Sequence, residues 1–204
     1  MKQNNPIILA ISAASGVIYG IKLLEFLLEH NFQVELIISS KAYYIIKHEL
    51  GLEFCHNKEE IYTNIINFLK LEKEQINLQV WLDDELWANP ASGSYKTQGM
   101  IIAPASMATI AAISSGLAEN LITRTADVCL KEKRMLTVVP RETPLNSIHL
   151  ENMLKLSKLG VNIVPPISGF YGKMKTLEDS INFITGKILD ASNIENDLYE
   201  RWHL

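Results

Sequence analysis

Short, mainly apolar runs recur along the chain, and polar or turn-forming residues separate them. Such runs are typical of strands that are buried on both faces of a parallel sheet. They predict six strands, at residues 7–11, 34–38, 78–81, 100–103, 136–139 and 161–164. The run at 78–81 is the weakest of the six, because a glutamine interrupts it.

Between the runs, apolar residues recur every three or four positions, which indicates helices. The predicted helices cover residues 16–30, 41–50, about 59–71, 107–115, 120–133, 144–159 and 177–189. Ser106 and Thr143 are expected as N-caps, Pro144 as a first helical residue and Gly160 as a C-cap. Strands that alternate with helices predict an α/β fold with a doubly wound, mostly parallel sheet. We see no repeat or linker, so we expect one domain over residues 1–204, with a C-terminal tail from about 193.

Composition narrows the function classes. The net charge of −4 gives no reason to expect nucleic-acid binding, and no apolar run has the length of a membrane span. The two cysteines, Cys55 and Cys129, lack the spacing of a metal site or a disulfide framework. The N-terminus lacks the apolar core of a signal peptide. We therefore expect a cytoplasmic protein that binds neither nucleic acid nor membrane.

A turn of small residues, SAASG at 12–16, joins the first predicted strand to the first helix. Such a turn exposes backbone N–H groups at the positive end of a helix dipole, which is a ready anion site. A tight turn with no ligand is equally compatible with the pattern. Ser39-Ser40 and Ser106 also follow predicted strands, so hydroxyl groups should gather at the carboxyl edge of the sheet, where ligands bind in such folds.

Charged residues suggest a second feature. Arg124 and Lys131 lie seven apart on one predicted helix, and Arg141-Glu142 follows a strand. A cation beside a carboxylate suits a site for phosphate binding and proton transfer, although surface ion pairs give the same pattern. The segments 131–134 and 83–85 are interpreted as solvated, and the loop at 89–94 could present backbone donors.

Five motifs resemble the UbiX-type flavin prenyltransferases. They are SAASGVIYG at 12–20, PASGS at 90–94, the stretch from PASMATIA to KEKR at 104–134, VPRETPLNSIHLENMLKL at 139–156 and PPISGFY at 165–171. The likeness covers nearly the whole chain in order, and only residues 51–89 match loosely. It implies a flavodoxin-like fold and a homododecamer with active sites at subunit junctions.

The resemblance also implies an activity. Enzymes of this family join a dimethylallyl group from dimethylallyl monophosphate to N5 and then C6 of reduced FMN, without a metal. The product, prenylated FMN, is the cofactor of UbiD-type decarboxylases, often in ubiquinone biosynthesis. The absence of a paired aspartate motif agrees with transfer that needs no magnesium.

Site residues are carried over position by position. The expected flavin contacts are Ala13, Ala14, Ser15, Gly16, Ser39, Ser106, Met107, Ala108, Thr109 and Arg124. The expected contacts to the prenyl phosphate are Ala91, Ser92, Gly93, Lys131, Arg141, Tyr171, Lys187 and Trp202. Ser15, Glu49 and Glu142 are the expected catalytic residues, with Glu142 as the proton donor to the departing phosphate.

Two departures and two alternatives remain. Ala13 replaces a usual glycine, which is tolerable only if φ there is negative, and Lys187 replaces a common arginine.

An FMN-dependent decarboxylase of the peptidyl-cysteine or phosphopantothenoylcysteine type would need a histidine near the first helix, where the chain offers only His30. The other alternative is a non-catalytic FMN-binding regulatory protein.

Overall fold

The computed structural model describes residues 5–71, 76–169 and 174–201. Within them, one six-stranded parallel sheet has the strand order β3-β2-β1-β4-β5-β6. The strands are β1 (Ile7–Ile11), β2 (Val34–Ile38), β3 (Leu78–Leu82), β4 (Gly99–Ala105), β5 (Met135–Pro140) and β6 (Asn162–Ile163). The doubly wound parallel sheet expected from the sequence is confirmed.

Helices cover both faces of the sheet. They are α1 (Val17–Glu29), α2 (Tyr43–Leu50), α3 (Lys58–Leu69), α4 (Met107–Ser115), α5 (Leu121–Lys131), α6 (Ser147–Lys158) and α7 (Leu177–Ala191). Short 3₁₀ turns occupy Ser40–Ala42 and Asn89–Ala91. One apolar core contains side chains of α1, α2, α3 and α7, and a second core contains those of α4, α5 and α6.

The strand order reverses beside β1, which pairs with β2 on one side and with β4 on the other. The loop after β1 leads to α1 on one face, and the loop after β4 leads to α4 on the opposite face. A crevice therefore opens between these two loops at the carboxyl edge of the sheet. This position is where ligands bind in doubly wound folds.

Helix α6 begins later than the sequence indicated. Thr143 is not its N-cap and Pro144 is not its first residue, since both lie in the bend before the helix. Asn146 is the N-cap, and its side chain forms a reciprocal capping box with His149. Asn146 satisfies the backbone donors of the first turn, which explains the shifted start. At the other end Leu159 is the C-cap, and Gly160 follows it with a φ of 85°.

Among the described residues, no helix combines the length and the apolar character needed to cross a membrane.

Candidate active site at the switch point of the sheet

Ser12 ties together the two loops that border the crevice. Its hydroxyl donates to the carbonyl of Pro104 at 2.9 Å and accepts from the backbone N–H of Ser106 at 2.8 Å. The side chain is 1% exposed, so both bonds are shielded from water. The hydroxyl of Ser12 is therefore not free to bind a ligand, because it bridges the loop after β1 and the loop after β4.

The positive N-terminus of α1 attracts an anion, and here the carboxylate of Glu49 binds there. One carboxylate oxygen of Glu49 accepts from the N–H groups of Gly16 at 2.9 Å and Val17 at 3.2 Å. Gly16 has a φ of 87°, which favours glycine. Ala13 is not among the described residues with positive φ, so the condition for an alanine at that position is met.

Arg141 lies at the carboxyl edge of the sheet and contacts both loops. Its Nε donates to the carbonyl of Ser15 at 3.1 Å, and its backbone N–H donates to the carbonyl of Ala105 at 3.3 Å. The structure thus brings Arg141 to the first loop, although 126 positions separate it from Ser15. Glu142 follows directly and is exposed, and one of its oxygens accepts from the N–H of Thr143 at 3.0 Å.

The second loop begins α4. Ser106 is the N-cap, as expected, and its hydroxyl accepts from the N–H of Thr109 at 3.1 Å. The Thr109 hydroxyl lies 3.0 Å from the same oxygen. Met107 and Ala108 form the start of the helix and are not buried. They lie at the carboxyl edge of the sheet, where Ala108 adds no bulky side chain.

Ser39 lies at the end of β2 and its hydroxyl already has an acceptor. It donates to Oδ2 of Asp83 at 3.1 Å, and Ser40 donates to the same atom through its N–H and its hydroxyl. Asp83 and Glu85 are buried, so the interpretation of 83–85 as a solvated segment is wrong for both. The reason is a set of long-range partners, which for Glu85 is the ammonium of Lys58 at 2.8 Å.

The loop that follows the Asn89–Ala91 turn packs along α5. Nε of Arg124 donates to the carbonyl of Ala91 at 3.4 Å, and its guanidinium also lies 3.7 Å from Asp127. A Cβ added to Gly93 would lie 3.1 Å from the ammonium of Lys131. Gly93 and Lys131 are therefore neighbours, whereas Ala91 lies against Arg124 and the hydroxyls of Ser92 and Ser94 pair at 2.9 Å.

Lys131 and Arg141 lie at opposite edges of the sheet. Lys131 ends α5 shortly before β5 begins, and Arg141 follows the last residue of that strand. Six residues of parallel strand span about 17 Å, so the backbones of the two residues are far apart within a single chain. The resemblance gives both residues as contacts to the prenyl phosphate, but the strand between them separates their positions in one chain.

Lys187 contacts residues of α7 and of the segment that follows it. It lies on α7, half exposed, with its ammonium 4.0 Å from Asp190 and 5.9 Å from the ring centre of Tyr199. Asp190 also binds the guanidinium of Arg201 at 2.9 Å. Tyr171 and Trp202 lie outside the described residues.

Comparisons with known proteins give the family. A family model described as Flavoprotein matches residues 1–189. The flavin prenyltransferase UbiX of Halalkalibacterium halodurans is 44% identical over 198 residues, which cover 94% of this chain and 90% of the relative. That of Methanocaldococcus jannaschii is 43% identical, over 96% of this chain and 97% of the relative. The chain belongs to the UbiX flavin prenyltransferase family.

Solved structures of UbiX proteins have the same fold. AnUbiX (PadA1), in complex with FMN and dimethylallyl pyrophosphate, superposes with a TM-score of 0.85 at 37% identity, over 98% of both chains. A dodecameric FMN-dependent UbiX-like decarboxylase from Escherichia coli O157:H7 gives 0.85 at 35% identity, over 97% of this chain and 99% of that one.

The decarboxylase alternative has weaker support than UbiX membership. A phosphopantothenoylcysteine (PPC) decarboxylase mutant matches with a TM-score of 0.58 at 18% identity, which shows a shared fold only. His30, the histidine available on the first helix, stacks on Phe26 at 3.9 Å and lies 2.8 Å from the carbonyl of that residue. It therefore sits at the far end of α1 from the crevice.

Neither cysteine offers a thiolate nucleophile in this UbiX chain. The hydrogen bond from Cys55 to Glu60 is the main cause of a raised pKa for that thiol. Burial raises the pKa of Cys129 to about 12. The described residues also hold no group of three histidine, cysteine, aspartate or glutamate side chains that could bind a metal.

Arg134 is the main residue that the sequence motifs missed. Residues 131–134 were interpreted as a solvated helix end, which is correct for the exposed Lys131, Glu132 and Lys133. Arg134 is partly buried instead, and its guanidinium binds the loop before β4. A signal for this existed, since an arginine directly before a buried strand has little room to stay in solvent.

Proposed function

We propose that this chain is a flavin prenyltransferase. It transfers the dimethylallyl group of dimethylallyl monophosphate to N5 and then to C6 of reduced FMN, and the product is prenylated FMN. The observation that carries the proposal is the pair of loops joined by Ser12, with Arg141 bound to the first loop at the switch point. Membership of the UbiX family supports the same activity.

The residues at the crevice fit FMN. Ala13 and Ala108 are not buried and place only a methyl group beside the two loops, and Ser15 and Thr109 add hydroxyls. The edge of the site is positively charged through Arg141, which suits a phosphate. When bound and reduced, the flavin supplies the electron-rich N5 and C6 atoms that accept the prenyl carbons.

The protein assists the departure of phosphate. The bond between the allylic carbon and the bridging oxygen breaks, and its electron pair stays on that oxygen. We assign Glu142 as the proton donor to the departing phosphate, because it adjoins Arg141 and its exposed carboxyl group can reach a ligand at the edge. Lys131, Arg141 and Lys187 offset the developing negative charge. Ser15 and Glu49 border the phosphate at the start of α1.

The site requires more than one copy of the chain. Lys131 with Gly93 lies at one edge of the sheet, and Arg141 with Ser15 lies at the other. We infer that one copy contributes the first group and a second copy the other, in a homododecamer. The dodecameric UbiX-like protein of E. coli supports this assembly. Exposed apolar side chains on α6, at Ile148, Leu150 and Leu154, offer surface for such contacts.

The product would pass to a UbiD-type decarboxylase, including one that serves ubiquinone biosynthesis. The donor is the monophosphate in this proposal, although AnUbiX was crystallised with the pyrophosphate.

One experiment tests the activity. The purified protein is incubated without oxygen with reduced FMN and either dimethylallyl monophosphate or pyrophosphate, and the released flavin is analysed by mass spectrometry. We expect flavin that is heavier by one dimethylallyl group, formed faster from the monophosphate. Unmodified FMN with both donors would refute the proposal, and turnover of a peptidyl-cysteine substrate would favour the decarboxylase alternative.

A further inference from the structure

Arg134 holds the loop before β4 through three acceptors. Its Nη1 donates to the carbonyl of Tyr95 at 2.8 Å and to the hydroxyl of Thr97 at 3.3 Å. Its Nη2 donates to the carbonyl of Gly93 at 2.5 Å. A planar guanidinium can bind two carbonyls of one loop at once, whereas a lysine ammonium presents a single point charge.

The same loop is fixed from the sheet. The hydroxyl of Tyr95 donates to Oε1 of Glu35 at 2.5 Å, and Glu35 is 6% exposed on β2. Nε1 of Trp81 on β3 donates to the other oxygen of that carboxylate. Burial, helped by the bond to Glu35, raises the pKa of Tyr95, so its hydroxyl stays protonated and remains a donor.

These two anchors place Gly93 against the end of α5. A Cβ at this position would lie 2.5 Å from Oε1 of Glu132 and 3.1 Å from Nζ of Lys131. The ammonium of Lys131 is also 3.5 Å from Glu132. The backbone of the loop therefore lies directly against the ammonium of Lys131, and a shift of Gly93 would change the space that the ammonium occupies.

We propose that Arg134 is a positioning residue for the half-site that residues 91–93 and Lys131 form for the prenyl phosphate. This inference rests on the proposed function. Arg134 does not contact the prenyl donor in this proposal, because its guanidinium is hydrogen-bonded to Gly93, Tyr95 and Thr97. It acts by keeping the loop backbone and Lys131 in the arrangement that binds phosphate. The flavin loops at Ser12 and Ser106 do not depend on it.

The test compares Arg134→Gln and Arg134→Lys with Lys133→Asn. Lys133 is exposed, and asparagine tolerates its φ of 54°, so this control removes a neighbouring positive charge without touching the loop. For Arg134→Gln we expect the KM for dimethylallyl monophosphate to rise about 10–100-fold, with kcat within about threefold of wild type. Arg134→Lys should be intermediate. FMN affinity should match wild type in all three variants.

Hydrogen exchange supplies a readout that is independent of activity. Amides of residues 92–97 should exchange faster in Arg134→Gln than in the wild type, and amides of β1 and α4 should not. Unchanged exchange of this loop in Arg134→Gln would overturn the positioning role, whether or not the wild type transfers a prenyl group. A wild type that transfers no prenyl group would refute only the proposed function. An unchanged KM in Arg134→Gln, or a loss confined to FMN affinity, would also overturn the positioning role.

A second variant covers the case in which Arg134→Gln does not fold. Tyr95→Phe removes the bond to Glu35 and leaves the guanidinium contacts in place. We expect a smaller rise of the donor KM, faster exchange of the same amides and unchanged FMN affinity. Wild-type values for both the KM and the exchange would contradict the proposed role of the loop.

Discussion

Replacement of Ser12 by alanine tests the bridge between the two loops. In the wild type, the hydroxyl accepts from the N–H of Ser106 and donates to the carbonyl of Pro104. The carbonyl keeps a second donor in Ser12→Ala, the backbone N–H of residue 12 at 3.2 Å. The N–H of Ser106 loses its acceptor at a partly buried position. An unsatisfied group of this kind costs about 1–3 kcal/mol, so we expect the free energy of unfolding to fall by that amount.

FMN binding should weaken in the same variant. The bridge holds the first and second loops at a fixed separation, and without it part of the binding free energy is used to restore that separation. A loss of about 1.4 kcal/mol corresponds to a tenfold higher Kd, which is the effect we expect. Quenching of FMN fluorescence measures the Kd, and urea unfolding at one protein concentration measures stability, because assembly makes stability depend on concentration.

Ser157→Ala is the matched control, since Ser157 is exposed on α6. It should change the free energy of unfolding by less than about 0.5 kcal/mol. If Ser12→Ala matched this control in both stability and FMN affinity, the hydroxyl would not be what joins the loops.

Three further outcomes follow from the site and from α7. Glu142→Gln should lower kcat for prenyl transfer by at least about 100-fold while FMN affinity stays within a few-fold, and wild-type turnover would remove Glu142 as the proton donor. Prenyl transfer should persist in EDTA, because the cations Lys131, Arg141 and Lys187 supply the positive charge; loss that magnesium restores would contradict this. Burial alone would raise the pKa of Asp190, but hydrogen bonds from Arg201, Tyr199 and Asn196 lower it below the ordinary value. Its carboxylate therefore stabilises the fold above pH of about 4, and this contribution is lost as the pH falls through the lowered pKa. Asp190→Asn should be less stable than wild type in urea at pH 7, with a smaller gap at pH 3, and an equal gap at both values would refute the assignment.

The central strands β1, β2 and β4 could be predicted from the sequence because they lie buried in the interior of a three-layer fold. Residues 7–11 and 34–38 are buried throughout, and apart from Glu35 both runs are apolar. Local caps such as Ser106 were equally predictable, since the capping bond spans three residues. The start of α6 was not, because Thr143-Pro144 and Asn146 offer competing caps within four residues.

Contacts between distant residues account for the errors at the site. Asp83 is buried by hydroxyls 43 and 44 positions away, and Arg134 binds a carbonyl 41 positions away. No local pattern reveals such partners. The separation of Lys131 from Arg141 is different, because the two residues flank one predicted strand and topology alone places them at opposite edges.

We expect prenyl transfer to occur at a site shared between copies of the chain. Lys131→Ala and Arg141→Ala should each be nearly inactive alone. When the two variants are co-expressed with different tags and mixed assemblies are purified, random association gives about a quarter of the sites both an intact Lys131 and an intact Arg141. We therefore predict prenylated FMN at roughly a quarter of the wild-type rate, measured by mass spectrometry. A mixture no more active than the separate variants would contradict the shared site.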